Sequence, residues 1–185
     1  MIKRPFLTAL TLAGMFFIPH AALAQQAAES AAQPAQTYGT GASAITEVYG
    51  DWTLACGATS VRGCAVRQVL QDSKTNQRVL LAELEPTPDK GAVATLIMPF
   101  GLRLSSGVRL QVGDVSVGSP GSFTTCYDNG CFARLDLDSS AVDLLKRGQD
   151  LKIITIAEDS GQSVVLTVSL AGFTSALDRG RELAQ

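Results

Sequence analysis

The sequence predicts an all-β fold, a single-domain β-sandwich or partly open barrel with one or two short helices and two local disulfides. Three observations carry this reading. From Ile45 onward, apolar and polar residues alternate with a period of two, the signature of half-buried strands. Clusters of Gly, Asp, Asn and Ser separate the alternating runs. The four cysteines fall as two pairs, each bracketing a turn.

The strands follow in order. Trp52, Leu54 and Cys56 alternate with Asp51, Thr53 and Ala55. Cys64, Val66 and Leu70 continue the theme with Gln68 interposed. Val79–Leu84 and Ala92–Met98 are more continuously apolar and read as central strands. Val108, Leu110 and Val112 alternate again, and Gly113-Asp114 is a two-residue hairpin candidate with glycine first. Cys131, Ala133, Leu135 and Leu137 alternate with Phe132, Arg134, Asp136 and Asp138, after the reversal Asp128-Asn129-Gly130. Val164, Leu166, Val168 and Leu170 form the last run, separated from its predecessor by Glu158-Asp159-Ser160-Gly161. About nine strands at this spacing fit a sandwich or an open barrel equally.

Two helices are expected. Asp138 or Ser139 can cap the first, which carries Val142, Leu144 and Leu145 and ends at Lys146 and Arg147 before Gly148. The second runs from Thr174 to about Leu183 and is weakened by Gly180.

The N-terminus reads as an address. Lys3 and Arg4 precede an apolar run from Phe6 to Ile18, and Ala22-Leu23-Ala24 matches a signal-peptidase site. That run is too short for the roughly 20 helical residues that span a bilayer. Gln25 follows the expected cut, so no lipid-anchoring cysteine is present there. The expected organisation is a signal peptide at 1–24, a flexible Ala/Gln-rich leader at 25–44 and a β domain at 45–185. The leader has too few large apolar side chains to offset its ordering entropy. The expected location is the periplasm, with outer-membrane association or release as further possibilities.

Composition narrows the chemistry. The chain carries 15 Lys and Arg against 17 Asp and Glu, and loss of Lys3 and Arg4 leaves 13 basic residues and a net charge of −4. An acidic chain without a basic stripe is a poor nucleic-acid binder. The one histidine, His20, lies in the signal segment. The processed chain therefore lacks the imidazole needed for Ser-His-Asp or Cys-His catalysis and for histidine-ligated metals. No nucleophile elbow, S-x-x-K pair or phosphate-binding glycine loop is present, and no cofactor or metal is expected.

Four cysteines in an exported chain argue for two disulfides. Of the three possible pairings, Cys56–Cys64 and Cys126–Cys131 are favoured, since in each hairpin both sulfurs would point to one side. If Cys126 faces Cys131, then Phe123, Tyr127, Phe132 and Arg134 fall on the opposite face. Three aromatics and an arginine have the composition of an interaction patch, although ordinary core packing would use the same residues. Asp136 and Asp138 could form a carboxylate pair for acid–base work, or line the solvated side of a strand.

The landmarks also form a characteristic order. Tyr49-Gly50-Asp51-Trp52 precedes Cys56, Cys64 opens the next strand, and Pro99-Phe100-Gly101 follows an apolar strand. Phe123, Cys126, Asn129-Gly130-Cys131 and Leu135 come next, and Ser169-Leu170-Ala171-Gly172-Phe173 closes the last strand. Over roughly residues 45–180 this resembles the invasion-associated locus B protein family of alphaproteobacteria. The resemblance implies an exported, all-β, disulfide-bearing domain. The family takes its name from host-cell invasion by a pathogenic member, and it maps no catalytic residue onto this chain. It suggests structural roles for Trp52 beside the first disulfide, Gly130 in its turn and Gly172 at the exit of the last strand.

The expected function is a non-enzymatic binding or interaction module of the envelope or cell surface, contributing to host-cell invasion or envelope function. Its partner would be a protein or a small ligand, in the envelope or on a host cell. The alternatives are an envelope enzyme using the Asp136–Asp138 pair and a structural or stress-protective protein without a discrete ligand. Mass spectrometry of protein recovered from the envelope is expected to find Gln25 as its first residue and no alkylatable thiol before reduction. Four free thiols would refute the disulfide assignment.

Overall fold

A computed structural model describes residues 44–57 and 63–184. The expected signal peptide and nearly all of the expected leader lie outside those residues. The chain runs through β1 (Ile45–Tyr49), β2 (Trp52–Cys56), β3 (Cys64–Gln71), β4 (Arg78–Pro86), β5 (Ala92–Met98), a 3-10 turn (Leu104–Ser106) and β6 (Val108–Val112). It continues through β7 (Val115–Tyr127), β8 (Gly130–Leu137), α1 (Ser139–Arg147), β9 (Asp150–Ile156), β10 (Ser163–Ser169) and α2 (Phe173–Leu183). The ten strands form one antiparallel sheet in the order β1-β2-β3-β4-β5-β8-β7-β6-β9-β10. It curls into a half-barrel, so of the two expected architectures the partly open barrel is the one adopted.

The curl is made by β7. Its first half pairs with β6 as far as Gly121, and its second half pairs with β8 from Ser122 onward. The strand thus turns a corner between two parts of the sheet. Its sequence is built for that: Gly118 has a positive φ of 63°, Pro120 follows, and a Cβ on Gly121 would lie 2.3 Å from Leu135 Cγ. Glycine and proline make this stretch a weak strand by pattern, although the turn preceding it, Gly113-Asp114, forms as expected, with φ positive at Gly113 (57°).

Inward residues build one core. Trp52, Leu54, Val66, Leu80, Leu84, Leu96, Ala133, Leu135, Ile153 and Val168 are buried together, and Trp52, Leu54, Val66, Ala133, Leu135 and Val168 follow the alternation of their strands. Both helices cover this interior. Asp138 caps α1 by accepting from Ala141 N at 2.7 Å, with Gly148 just past its end. In α2, Phe173, Ala176, Leu177 and Gly180 are buried. Gly180 lets the helix settle onto the sheet, since a Cβ there would sit 3.2 Å from Leu54 Cδ1. The glycine that weakens helix propensity is thus a packing requirement. Lys146 and Asp178 join the helices at 2.6 Å.

Both disulfides form between register partners, Cys56 with Cys64 and Cys126 with Cys131, each pair with Cα atoms 4.0 Å apart. Each closes a short loop, and in the chain-entropy account each contributes about 2–3 kcal/mol.

The two sheet ends are drawn together at one seam. Trp52 Nε1 donates to Ser169 O at 2.8 Å. The Gln68 side chain donates to the same oxygen at 3.0 Å and accepts from Ser169 N at 3.1 Å. Asp51 N donates to Ala171 O at 3.1 Å. Gly50 and Gly172 allow the two backbones to touch, for a Cβ on Gly172 would fall 1.9 Å from Tyr49 O. The Trp52 ring packs against Phe173 in a tilted contact, with centroids 5.0 Å apart. The buried Gln68, a polar residue on an apolar strand face, thus acts as a surrogate strand backbone for the end of β10.

Replacing Gln68 with Ala leaves Ser169 N without its acceptor. Urea unfolding followed by Trp52 fluorescence is expected to show a loss of about 1–3 kcal/mol. Gln111→Ala, on the accessible side of β6, is expected to stay within about 0.5 kcal/mol.

Candidate interaction surface

The outer face of the half-barrel carries the surface. Register aligns five residues in one row across five strands: Val69 on β3, Leu81 on β4, Ile97 on β5, Phe132 on β8 and Thr125 on β7. Ile97 is buried among its neighbours, Leu81 and Phe132 are half-buried, and Val69 is 48% exposed. Tyr127, 63% exposed, meets Phe132 edge-on with ring centroids 5.6 Å apart. An edge-on aromatic pair is a favourable geometry in its own right.

A polar row runs alongside: Arg67, Glu83, Thr95, Arg134 and Ser122. Glu83 is half-buried, and its carboxyl is held above the usual range. Burial is the main cause, and the neighbouring Glu85 charge adds to it, while Arg67 opposes both.

Of the four patch residues expected from the sequence, the structure brings Tyr127, Phe132 and Arg134 to this face and removes Phe123. A bulge between Phe123 and Thr125 breaks the strand's period, so Phe123 sits opposite Ala133 and packs against the core. Strict alternation from Cys126 therefore assigns Phe123 to the wrong side. Sequence reasoning missed Val69, Leu81 and Ile97 as members of the row. Their signal was the apolar continuity of β4 and β5, where outward positions are apolar as well as inward ones.

The carboxylate pair separates. Asp136 is exposed on the outer face of β8. Asp138 has left the strand to cap α1, bonded to Ala141 N and Ser140 Oγ, both at 2.7 Å. Those bonds, Ala141's first, hold its carboxyl below the usual range, which favours a fixed anion over a proton donor. Glu158 lies exposed in its turn, 3.4 Å from Arg103. Among the described residues no cluster of three His, Cys, Asp or Glu side chains could hold a metal, and no helix is long and apolar enough to cross a membrane.

Beside the seam, Glu47 accepts from Tyr49 Oη at 2.6 Å and from Arg179 Nε at 3.2 Å, tying β1 to α2. These bonds, Tyr49's first, lower the Glu47 carboxyl.

This geometry defines a class: a small β half-barrel stapled by two hairpin disulfides, its two sheet ends tied at one seam by side chains, with a mixed apolar and charged sheet face. Residues 52–181 match the family described as invasion associated locus B (IalB) protein. An invasion protein B homologue of Brucella abortus is 38% identical over 146 residues, covering 78% of this chain and 84% of that protein. Invasion protein B of Bartonella bacilliformis is 30% identical over 180 residues, covering 95% and 96%. The crystal structure of invasion associated protein B from Bartonella henselae superposes with a TM-score of 0.67 at 30% identity, covering 75% of this chain and 97% of that one. The chain belongs to the invasion-associated locus B family.

Glu83 generates a pH prediction. Its folded carboxyl holds a proton more tightly than the unfolded one, so its ionisation costs stability above the folded pKa, and the cost vanishes below the ordinary value of 4.5. Glu83→Gln is expected to raise the melting temperature at pH 7, with the gain shrinking as the pH falls toward 4. A difference independent of pH would refute this origin.

Proposed function

We propose that this protein is an exported, non-enzymatic interaction module of the bacterial envelope or surface, and that it binds a protein partner through the outer face centred on Phe132. The observation that carries this reading is the alignment of Val69, Leu81, Ile97 and Phe132 into one row, with Tyr127 edge-on to Phe132 at its end and Arg134 beside it. A central apolar strip with aromatic anchors and a flanking arginine is the usual composition of a contact surface. The row has no helix to bury it among the described elements, since α2 packs on the interior side of β2 and β3.

Export is supported by the N-terminal address and by two disulfides, which persist only in an oxidising compartment. The location proposed is the periplasm, with the outer membrane or release as the onward route. The relatives' names refer to invasion, so a contribution to host-cell contact is the role proposed wherever the host bacterium meets host cells. Against catalysis stand the missing imidazole of the processed chain and the engagement of Asp138 as a helix cap.

The test is crosslinking in intact cells followed by mass spectrometry. Phe132→Ser is expected to abolish capture of the partner seen with the unaltered protein, while the melting temperature changes little because Phe132 lies outside the core cluster. A large loss of stability with capture retained at lower temperature would refute the reading.

A further inference from the structure

The sheet has two terminal strands, and they are protected to different degrees. β1 is five residues long and carries Glu47, which is engaged by Tyr49 and Arg179. β10 is seven residues long, Ser163-Val164-Val165-Leu166-Thr167-Val168-Ser169, with no charge and no proline. Edge strands ordinarily carry such features to prevent pairing.

The hydrogen-bonding phase of β10 follows from its end. Leu170 N donates to Gln149 O on the β9 side. Ser169 N and O turn the other way, to Gln68 and Trp52. With a period of two, the backbone groups of Ser163, Val165 and Thr167 also point away from β9. No described residue pairs with them.

The strand is also self-complementary. Read backwards it presents nearly the same residues, with serine at both ends and β-branched or aliphatic side chains between. We propose that two copies of this chain associate by antiparallel pairing of β10 with β10 across a two-fold axis, extending the half-barrel sheet from one copy into the next.

The seam selects the register. An axis at Leu166 would set Ser163 against Ser169 of the second copy, whose backbone is already held by Gln68 and Trp52. An axis at Val165 avoids that position. It pairs Val165 with Val165 and Ser163 with Thr167, making about six backbone hydrogen bonds by the antiparallel pattern. On the inner side it places Val164 against Leu166, both half-buried. On the outer side it brings together the two Val165 side chains, each 49% exposed in the single chain. Gln68 therefore has two consequences: it ties the end of β10 to β3, and it blocks one end of the uncharged β10 edge.

The test uses the natively processed protein. Sedimentation velocity over a concentration series is expected to show a monomer–dimer equilibrium. Val165→Lys sets like charges opposite one another on the axis and is expected to weaken the dimer at least about tenfold, with the near-ultraviolet signal of Trp52 unchanged. Val165→Cys is expected to form an intermolecular disulfide on mild oxidation, because directly opposed Cα atoms lie about 5.5 Å apart. Val48→Cys, on the other edge and 71% exposed, is expected to give none. If Val165→Lys loses the Trp52 signal, the two cysteine variants decide. A monomer at every concentration overturns the proposal, leaving the edge to a strand from another protein. So does a Val165→Lys dimer of unaltered affinity, or equal crosslinking at positions 165 and 48.

Discussion

A curled sheet with two ends needs something to hold those ends in place, and here that is the backbone of Ser169. Its oxygen accepts from the Trp52 indole and the Gln68 amide, and its nitrogen donates to Gln68. β10 meets β2 and β3 at this one peptide, across 117 and 101 residues of sequence. Gly50 and Gly172 complete the contact by removing the side chains that would hold the chains apart. The result fixes where α2 begins, since Phe173 follows directly and packs at a tilt against Trp52. Once α2 is placed, it covers the interior of β2 and β3, and the core is complete.

That closure also determines what remains outside. The interior is filled by inward side chains and two helices, so the apolar residues at outward positions of β3, β4, β5 and β8 have no helix of their own. Register collects them into one row, and Tyr127 extends it. Beside it, Arg67, Glu83 and Arg134 alternate in charge, so the face is mixed rather than uniformly apolar. The disulfides act locally by comparison. Each joins register partners at the end of one hairpin, and neither spans the seam.

The family landmarks gain a physical meaning from this arrangement. The Gly50-Asp51-Trp52 and Ser169–Phe173 segments lie at opposite ends of the domain in sequence, yet they are the two halves of the seam. Asn129-Gly130-Cys131 serves a different contact: a Cβ on Gly130 would fall 2.5 Å from Met98 O, so the β7–β8 turn can rest against the end of β5 only with glycine there.

Local rules were enough for much of this protein. Period-two alternation located β2, β3, β6, β8 and β10 and their inward faces, apolar continuity located β4 and β5, Asp138 and Gly148 bounded α1, and cysteine placement gave both disulfides. Each is a short-range property, set by side chains within one strand, one turn or one hairpin. Three features were decided only by tertiary structure. The bulge beside Thr124 turned Phe123 inward, because a single extra residue inverts every assignment beyond it. β7 formed a long corner strand out of glycine- and proline-containing sequence, because two partners supplied the hydrogen bonds that its own propensity does not favour. The roles of Gln68 and Ser169, and the outer row centred on Phe132, depend on which strands are neighbours. Strand order is set by long-range pairing and core burial, which no local pattern in the chain encodes.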